Sequence, residues 1–249
     1  AAEIATLASR YECTFTLESR NVILNAKSML GLLSMALPDS GDVILTADGK
    51  DEAAAIAAMS DLIRKLKDSG YYTIARIPAL RDRAYGLEDP NEGLAVPDGY
   101  LWMDGDGCYW LDPTRDKIQS YLMDIATELR ILGFDEVVFD GFVIPDSTRI
   151  VYPKELTRAE YTAQAAGQLM EMLGDLTIRI SFGSSSPLMA GIGERLYLSG
   201  VEGSNVAATA EPLLEHMENP AAQIVFLTPS RDTRFEDYSV LRPLLEDSN

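Results

Sequence analysis

Two carboxylates carry the clearest chemical signal in this sequence. Asp140 directly follows the apolar run Val137–Phe139, and a carboxylate in such a place costs free energy unless it is hydrogen-bonded, paired or used. Glu202 lies in a later loop flanked by glycines. Two carboxylates can together serve as nucleophile or general base and as general acid. The alternatives are structural: Asp140 can cap a loop or pair with Arg76, and Glu202 can be an ordinary solvated acid.

The segment between residues 80 and 114 has a composition suited to holding sugars. Its aromatic and acidic residues are interleaved: Tyr100, Trp102, Asp104, Asp106, Tyr109, Trp110 and Asp112. Aromatic faces and a few polar groups are the usual lining of small-ligand sites. The predicted substrate-binding residues are Arg76, Asp82, Trp102, Trp110 and Asp112. The alternative is a loop that folds back to bury its own aromatic residues.

Composition argues against several other kinds of function. The chain has 249 residues, 47% of them hydrophobic, with a net charge of −18, which disfavours binding to nucleic acid. The single His216 and the distant Cys13 and Cys108 form no metal-ligand cluster and no disulfide framework. Asp104 and Asp106 resemble the opening of a calcium loop, but no acid follows at the later ligand position. We therefore predict no cofactor and no metal, and no apolar run is long enough to cross a membrane.

The elements that must position these residues alternate between strand and helix after residue 70. The predicted strands span residues 71–77, 136–142, 177–182, 196–201 and 223–228, and the predicted helices span residues 115–132, 158–173, 207–217 and 235–245. Short apolar strands followed by helices indicate an α/β fold, here a partial or complete (β/α) barrel. In such folds the chemistry lies at the carboxyl ends of the strands, which is where Arg76, Asp140 and Glu202 fall.

The first 70 residues have a different character. They hold 7 basic and 10 acidic residues, against 14 and 29 in the rest of the chain, so the net charge divides into −3 and −15. Strands at 11–17, 21–24 and 42–46, with helices at 28–37 and 51–68, predict an antiparallel sheet covered on one face, an α+β open-faced sandwich. We therefore predict two domains, residues 1–68 and 69–249.

Residues 25–34, with Gly41, Asp42 and the Ala47–Asp51 region, resemble the phosphocarrier protein HPr of sugar phosphotransferase systems. In that family an Ala-Ala pair like Ala1-Ala2 follows the loop with the phosphorylated histidine, so the resemblance implies a chain without that histidine and without phosphocarrier activity. The family's regulatory serine corresponds to Ser28, which implies HPr kinase as a partner. A phosphate at the start of a helix would meet the positive end of its dipole. The alternative is that Ser28 is only an N-cap.

Three other segments, residues 72–77, 110–113 and 132–140, resemble a bacterial family of glycoside-hydrolase-like barrels with an α-amylase-like (β/α)8 fold. The resemblance implies a carbohydrate substrate, and the family's candidate nucleophile corresponds to Asp140. Two departures stand out. Gly141 and Phe142 replace the usual aromatic residue and arginine after the aspartate, and Ser181 stands where an acid often precedes Phe-Gly. If the family's general acid belongs at the position of Ser181, Glu202 has to take that role in this chain.

Three hypotheses follow. The chain is a glycoside hydrolase using Asp140 and Glu202, a carbohydrate-binding barrel without catalysis, or a regulatory module phosphorylated at Ser28. The HPr-like part implies the cytoplasm, whereas the barrel part implies export or the cell surface. A natural fusion and an artificial joining of two incomplete parts both remain open.

Overall fold

In the described part of the chain, nine strands form one sheet. The computed structural model describes residues 9–19, 22–25, 43–51, 54, 64–65, 67–153, 155–174 and 176–242. The strands are β1 (Thr14–Ser19), β2 (Val22–Asn25), β3 (Val43–Asp48), β4 (Thr73–Pro78), β5 (Glu136–Asp140), β6 (Arg179–Gly183), β7 (Leu196–Ser199), β8 (Ile224–Leu227) and β9 (Ser239–Leu241). They are hydrogen-bonded in the order β2-β1-β3-β4-β5-β6-β7-β8-β9.

Six parallel pairings join β3 to β9 in sequence order, which confirms the predicted partial (β/α) barrel. The helices are α1 (Arg83–Glu88), α2 (Asp116–Leu132), α3 (Arg158–Leu173), α4 (Val206–Ala210) and α5 (Pro220–Gln223). Short 3₁₀ helices span Pro90–Glu92, Pro187–Met189, Gly203–Asn205, Glu211–His216 and Thr233–Phe235. Across the described ranges the sheet is open, because β2 and β9 each have a single neighbour.

The last strand corrects the sequence prediction. Residues 235–245 were expected to be helical, but the chain forms a 3₁₀ turn and then β9, which pairs with β8 through Val225 and Ser239. Pro243 in the sequence already opposed a helix there, since proline removes a backbone donor and obstructs the preceding turn. The helix predicted at 207–217 is likewise divided into α4 and a 3₁₀ helix with Pro212 in its first turn.

The HPr-like part contributes an antiparallel group, as expected, with β1 between β2 and β3. This group continues into the barrel sheet, because β3 pairs in parallel with β4 through Val43–Thr73 and Ile44–Ile74. The helix predicted at 28–37, and with it Ser28, lies outside the described residues, as does most of the helix predicted at 51–68. The division at residue 68 therefore stays a prediction.

Alternation along the strands gives the sheet two different faces. On β5, Val137 and Phe139 belong to the main core, together with residues of α2 and α3 such as Leu122 and Leu169. Val138 lies on the other face, in a smaller buried cluster with Ile74, Tyr197 and Val225. Glu136 and Asp140 share the face of Val138, one at each end of the strand. The barrel interior therefore has an amino end near Glu136 and a carboxyl end near Asp140.

Candidate functional site

Asp140 lies at the carboxyl end of β5 and is paired with Arg76 of β4. The Arg76 Nη2 atom donates to Asp140 Oδ2 at 2.6 Å, and the two side chains are 28% and 30% exposed. The pairing with Arg76 that the sequence suggested is therefore present. It leaves the carboxylate in contact with solvent, so the ion pair and a chemical role are compatible. The Nε atom of Arg76 is buried and has no hydrogen-bond partner among the described residues.

The backbone around Asp140 is tied to both neighbouring strands. Its carbonyl accepts from the Ala79 N–H at 2.9 Å, just beyond the end of β4. Two residues later, the Phe142 N–H donates to the carbonyl of Gly183, the last residue of β6, also at 2.9 Å. These bonds continue the parallel ladder past the strand ends and hold the Asp140 backbone in one position.

Glu202 lies beyond the carboxyl end of β7, exposed at the start of the Gly203–Asn205 turn. Because β6 separates β5 from β7, the backbones of those two strands are about 10 Å apart. The Glu202 loop packs on the loop after β8, where a Cβ at Gly203 would lie 2.2 Å from Asp232 Oδ2. Hydrogen bonds from Arg234 lower the pKa of Asp232 to about 2. The pairing of Glu202 with Asp140 stays a prediction.

The segment after β4 folds back on itself through antiparallel bridges, including Ala95–Leu101 and Met103–Tyr109. Asp104 accepts hydrogen bonds that hold this segment in its folded-back form. Arg81 Nε donates to Asp104 Oδ2 at 2.6 Å and Trp110 Nε1 donates to the same oxygen at 3.0 Å. These two hydrogen bonds, together with backbone donors, hold the pKa of the Asp104 carboxyl well below its usual range.

The aromatic residues of this segment are mostly engaged within the protein. Trp102 Nε1 donates to Ser147 Oγ at 3.1 Å, and its ring lies 6.2 Å from that of Trp110 in an edge-to-face arrangement. Both rings pack, partly buried, against an apolar cluster that includes Ile144. Tyr100 is 76% exposed. The segment thus folds back as the structural alternative proposed, and sugar binding by Trp102 and Trp110 stays a prediction.

The two other acids predicted to bind substrate have structural partners. Asp82 caps α1 by accepting from the Tyr85 N–H at 2.9 Å, and its second oxygen accepts from the Tyr121 hydroxyl at 3.0 Å. Asp112 is nearly buried, and its Oδ1 accepts from the N–H and the hydroxyl of Thr114. Tyr161 also donates to Asp112. A substrate role for Asp82 or Asp112 stays a prediction.

Sequence reasoning missed a buried carboxylate at the amino end of the barrel interior. Glu136 is 0% exposed and accepts hydrogen bonds from three hydroxyl groups: Ser181 at 2.6 Å, Tyr197 at 2.8 Å and Tyr72 at 2.9 Å. Arg195 lies 3.5 Å from it. The period of a strand was the available signal, because it places Glu136 on the same face as Asp140.

The carboxylate of Glu136 shifts the pKa values of the groups around it. Burial and the nearby carboxylate raise the pKa of Tyr72 and of Tyr197, so both phenols stay protonated and donate. Burial opposes the charge of Arg195, but Glu136 and Tyr197 outweigh it and raise the pKa of Arg195. The network is thus a buried carboxylate that accepts from three neutral hydroxyls and lies 3.5 Å from a guanidinium.

A cavity of about 540 Å³ opens beside the carboxyl end of β5. It lies between the segment after β5, the start of α3 and the loop after β6. Its lining includes Val143, Ile144, Tyr152, Arg158, Ser185 and Ser186. Arg158 is ion-paired with Asp146. The cavity adjoins the residues that follow Asp140 and Gly183 and does not include either of them.

The described part of the chain shows no cluster of histidine, cysteine or acidic residues that could hold a metal ion. No helix within it has the length and apolar character needed to span a membrane. Both findings concern the described ranges alone.

Solved structures are similar to this chain at low sequence identity. Ega3 of Aspergillus fumigatus, in a complex with galactosamine, has a TM-score of 0.55 and 13% identity over 75% of this chain and 82% of that one. The α-galactosidase AgaA from Geobacillus stearothermophilus, in complex with raffinose, has a TM-score of 0.53 and 13% identity over 76% of this chain and 30% of that one. A hypothetical protein from Ruminiclostridium thermocellum is 22% identical with a TM-score of 0.44, and the match spans 50% of this chain and 64% of that one, less than two thirds of its length.

Two family models match the sequence, and they overlap between residues 39 and 65. Residues 1–65 match the model described as "PTS HPr component phosphorylation site", which confirms the resemblance of the first part to HPr. Residues 39–181 match the model described as "Putative glycosyl hydrolase domain". The second match starts just before β3 and reaches into β6, so it includes the first parallel pairings and Asp140. Because it covers more than half of the chain, the protein belongs to this glycosyl hydrolase domain family.

Proposed function

We propose that the protein hydrolyses glycosidic bonds and that Asp140 is its nucleophile or general base. The observation that carries this proposal is the state of the Asp140 carboxylate. It lies at the carboxyl end of a central parallel strand, partly exposed, with one oxygen bound to Arg76 and the other accepting no hydrogen bond from the described residues. A carboxylate held at one oxygen and open at the other is prepared to act on a substrate.

Glu202 is the proposed general acid. Retaining glycosidases hold the two carboxyl groups about 5–5.5 Å apart and inverting enzymes about 6.5–9.5 Å apart. Strands β5 and β7 approach the site from either side of β6, so long side chains can span the intervening distance. A separation above about 12 Å in a ligand-bound crystal structure would exclude this pairing, because neither geometry would then apply.

Neutral or cationic glycans are the proposed substrates. The net charge of −15 after residue 70 repels polyanionic chains such as polyuronates. Galactosamine oligomers and raffinose-type α-galactosides are the first probes to use, because the structures similar in fold hold galactosamine and raffinose. The predicted substrate-binding residues stay Arg76, Asp82, Trp102, Trp110 and Asp112.

The test compares four proteins on a panel of these glycans. Asp140→Asn removes the nucleophile or base, and we expect kcat to fall by at least about 10³-fold, which is about 4 kcal/mol of transition-state stabilisation. Glu202→Gln should lower kcat mainly for substrates with poor leaving groups, because these depend most on the general acid. Asp124→Asn, an exposed acid on α2, is the matched control and should leave kcat unchanged. Full activity in Asp140→Asn would contradict the proposal.

Binding of carbohydrate without hydrolysis is the second candidate function. It is favoured by Ser181, which stands where the related barrels often carry an acid and whose hydroxyl donates to Glu136 at 2.6 Å. Titration calorimetry with the same glycans separates the two functions. An oligosaccharide that binds equally to the wild-type and Asp140→Asn proteins, with no product formed by either, would support binding alone.

A third proposal concerns residues 1–68, which we treat as a unit distinct from residues 69–249. The match to HPr supports phosphorylation of Ser28 by an HPr kinase. Incubating the full chain with an HPr kinase and ATP should add one phosphate at Ser28, read by mass spectrometry, with Ser28→Ala as the control. A lack of phosphate on Ser28 in the presence of active kinase would contradict the proposal that Ser28 is phosphorylated.

A further inference from the structure

Gly183, the last residue of β6, lies against the Asp140 carboxylate. A Cβ atom built on Gly183 would be 2.1 Å from Asp140 Oδ1 and 3.0 Å from Asp140 Cα. The backbone of Gly183 is not in the left-handed region, so what this position requires is space and not an unusual conformation. Only glycine therefore leaves the carboxylate where it lies.

The carboxylate is held from two sides. On the β4 side, Arg76 Nη2 donates to Oδ2 at 2.6 Å. On the β6 side, the missing side chain of Gly183 leaves the space that Oδ1 occupies. No described residue donates a hydrogen bond to Oδ1, so this oxygen keeps its lone pairs free. The two oxygens of the carboxylate therefore differ: Oδ2 is bound to Arg76, and Oδ1 accepts no hydrogen bond from the described residues.

Moving the strands apart accommodates a methyl group at position 183 less readily than moving the Asp140 side chain does. The bonds from Ala79 N–H to Asp140 O and from Phe142 N–H to Gly183 O tie this backbone on both sides. The Asp140 side chain, by contrast, ends in a rotatable carboxylate. The strain is therefore relieved by rotation of that side chain, which preserves the fold and breaks the bond to Arg76.

We propose that Gly183 is a positioning residue for catalysis and that Asp140 Oδ1 is the reacting oxygen. This inference rests on the proposed glycosidase function. In a retaining reaction, Oδ1 donates an electron pair to the anomeric carbon while the bond from that carbon to the leaving oxygen breaks, and the leaving oxygen takes the proton of the general acid. In an inverting reaction, Oδ1 takes a proton from the water that attacks the anomeric carbon, and the leaving oxygen is protonated in the same way.

The first test is kinetic and uses the full chain with the glycan from the panel that is turned over. Gly183→Ala should lower kcat by about 10²-fold, the effect of a misplacement near 1 Å, with KM changed less than threefold. Gly167→Ala is the control, because the space around Gly167 on α3 is open and its kcat should not change. In the Asp140→Asn background, Gly183→Ala should cause no further loss, since the group it displaces is no longer functional.

The second test is structural and needs no substrate. A crystal structure of Gly183→Ala should show the Asp140 carboxylate rotated and its bond to Arg76 broken, with β5 and β6 in place. If Gly183→Ala keeps wild-type kcat while Asp140→Asn is inactive, the positioning role is overturned and the proposed function stands. If the wild-type protein hydrolyses no glycan, the proposed function and the reacting role of Oδ1 are both overturned. The crystal structure still tests whether Gly183 positions the Asp140 carboxylate. A rotated carboxylate then supports the positioning of Asp140 by Gly183, and an unmoved one overturns it.

Discussion

The two ends of β5 place chemically similar groups in opposite situations. Glu136 and Asp140 are four residues apart on the same face of one strand. Glu136 is fully buried and accepts from three hydroxyl groups, with Arg195 at 3.5 Å. Asp140 is 30% exposed and bound through one oxygen to Arg76.

This difference separates stability from chemistry. A buried carboxylate whose acceptor sites are filled has nothing left to offer a ligand, and its network specifies the interior of the barrel. A partly exposed carboxylate with one oxygen that accepts no hydrogen bond from the described residues keeps its capacity to accept a proton or attack a carbon. The amino end of the interior is therefore structural, and the carboxyl end is where substrate is expected.

The largest effect is expected at the amino end. Glu136→Ala would leave Arg195 and three hydroxyls without their acceptor in a buried site, and we expect unfolding free energy to fall by about 3–5 kcal/mol. Urea denaturation followed by circular dichroism measures the loss. Glu194→Ala, which removes an exposed acid on the neighbouring segment, is the control and should change stability by less than about 1 kcal/mol. If Glu136→Ala also lowers the unfolding free energy by less than about 1 kcal/mol, Glu136 does not have the structural role assigned to it.

A smaller effect of a different kind is expected at the carboxyl end. Arg76→Met should lower kcat by about 10–100-fold, or about 1.4–2.7 kcal/mol, because Asp140 Oδ2 loses its anchor. The same change should alter unfolding free energy by less than about 1 kcal/mol, since the pair is partly exposed. Arg195→Met is the matched control at the other end, and there stability should fall and kcat of the folded protein should not. A loss of stability in Arg76→Met and a loss of kcat in Arg195→Met would contradict the assignment of chemistry to the carboxyl end and of stability to the amino end.

The smallest effect concerns the folded-back segment above the carboxyl end. Hydrogen bonds from Arg81 and Trp110 lower the pKa of Asp104, so its contribution to stability is present above the unfolded pKa of about 3.9 and is lost as the pH falls toward the folded value. Trp102 and Trp110, the two tryptophans of the chain, make fluorescence a local probe of this segment. We expect the emission to shift to the red below about pH 4.

Asp104→Asn should produce that shift already at neutral pH, because the amide cannot replace the charged acceptor of Arg81. Asp106→Asn, whose side chain is 86% exposed, is the control and should leave the emission as in the wild-type protein. Emission unchanged in both variants would show that Asp104 does not hold the segment.

Much of the fold could be predicted because its signals are local. Short apolar runs located β4 to β8 within a few residues, and the helix at 158–173 was predicted with the bounds that the structure shows. In the structure, Thr157 and Glu160 form a capping box at its start. β9 was missed because it is three residues long and its apolar spacing also suits a helix. The use of β3 as a barrel strand was missed because the same residues resemble HPr.

The sequence by itself determined most of the strand and helix pattern, the family resemblances and the position of Asp140 at a strand end, because each of these depends on neighbours in the chain. The tertiary structure decided that Glu136 is buried among hydroxyls and that Gly183 lies against Asp140. Those contacts depend on the register between strands that are far apart in sequence. Register is fixed only when the strands pair, and that is why the surroundings of Asp140 could not be read from the residues on either side of it.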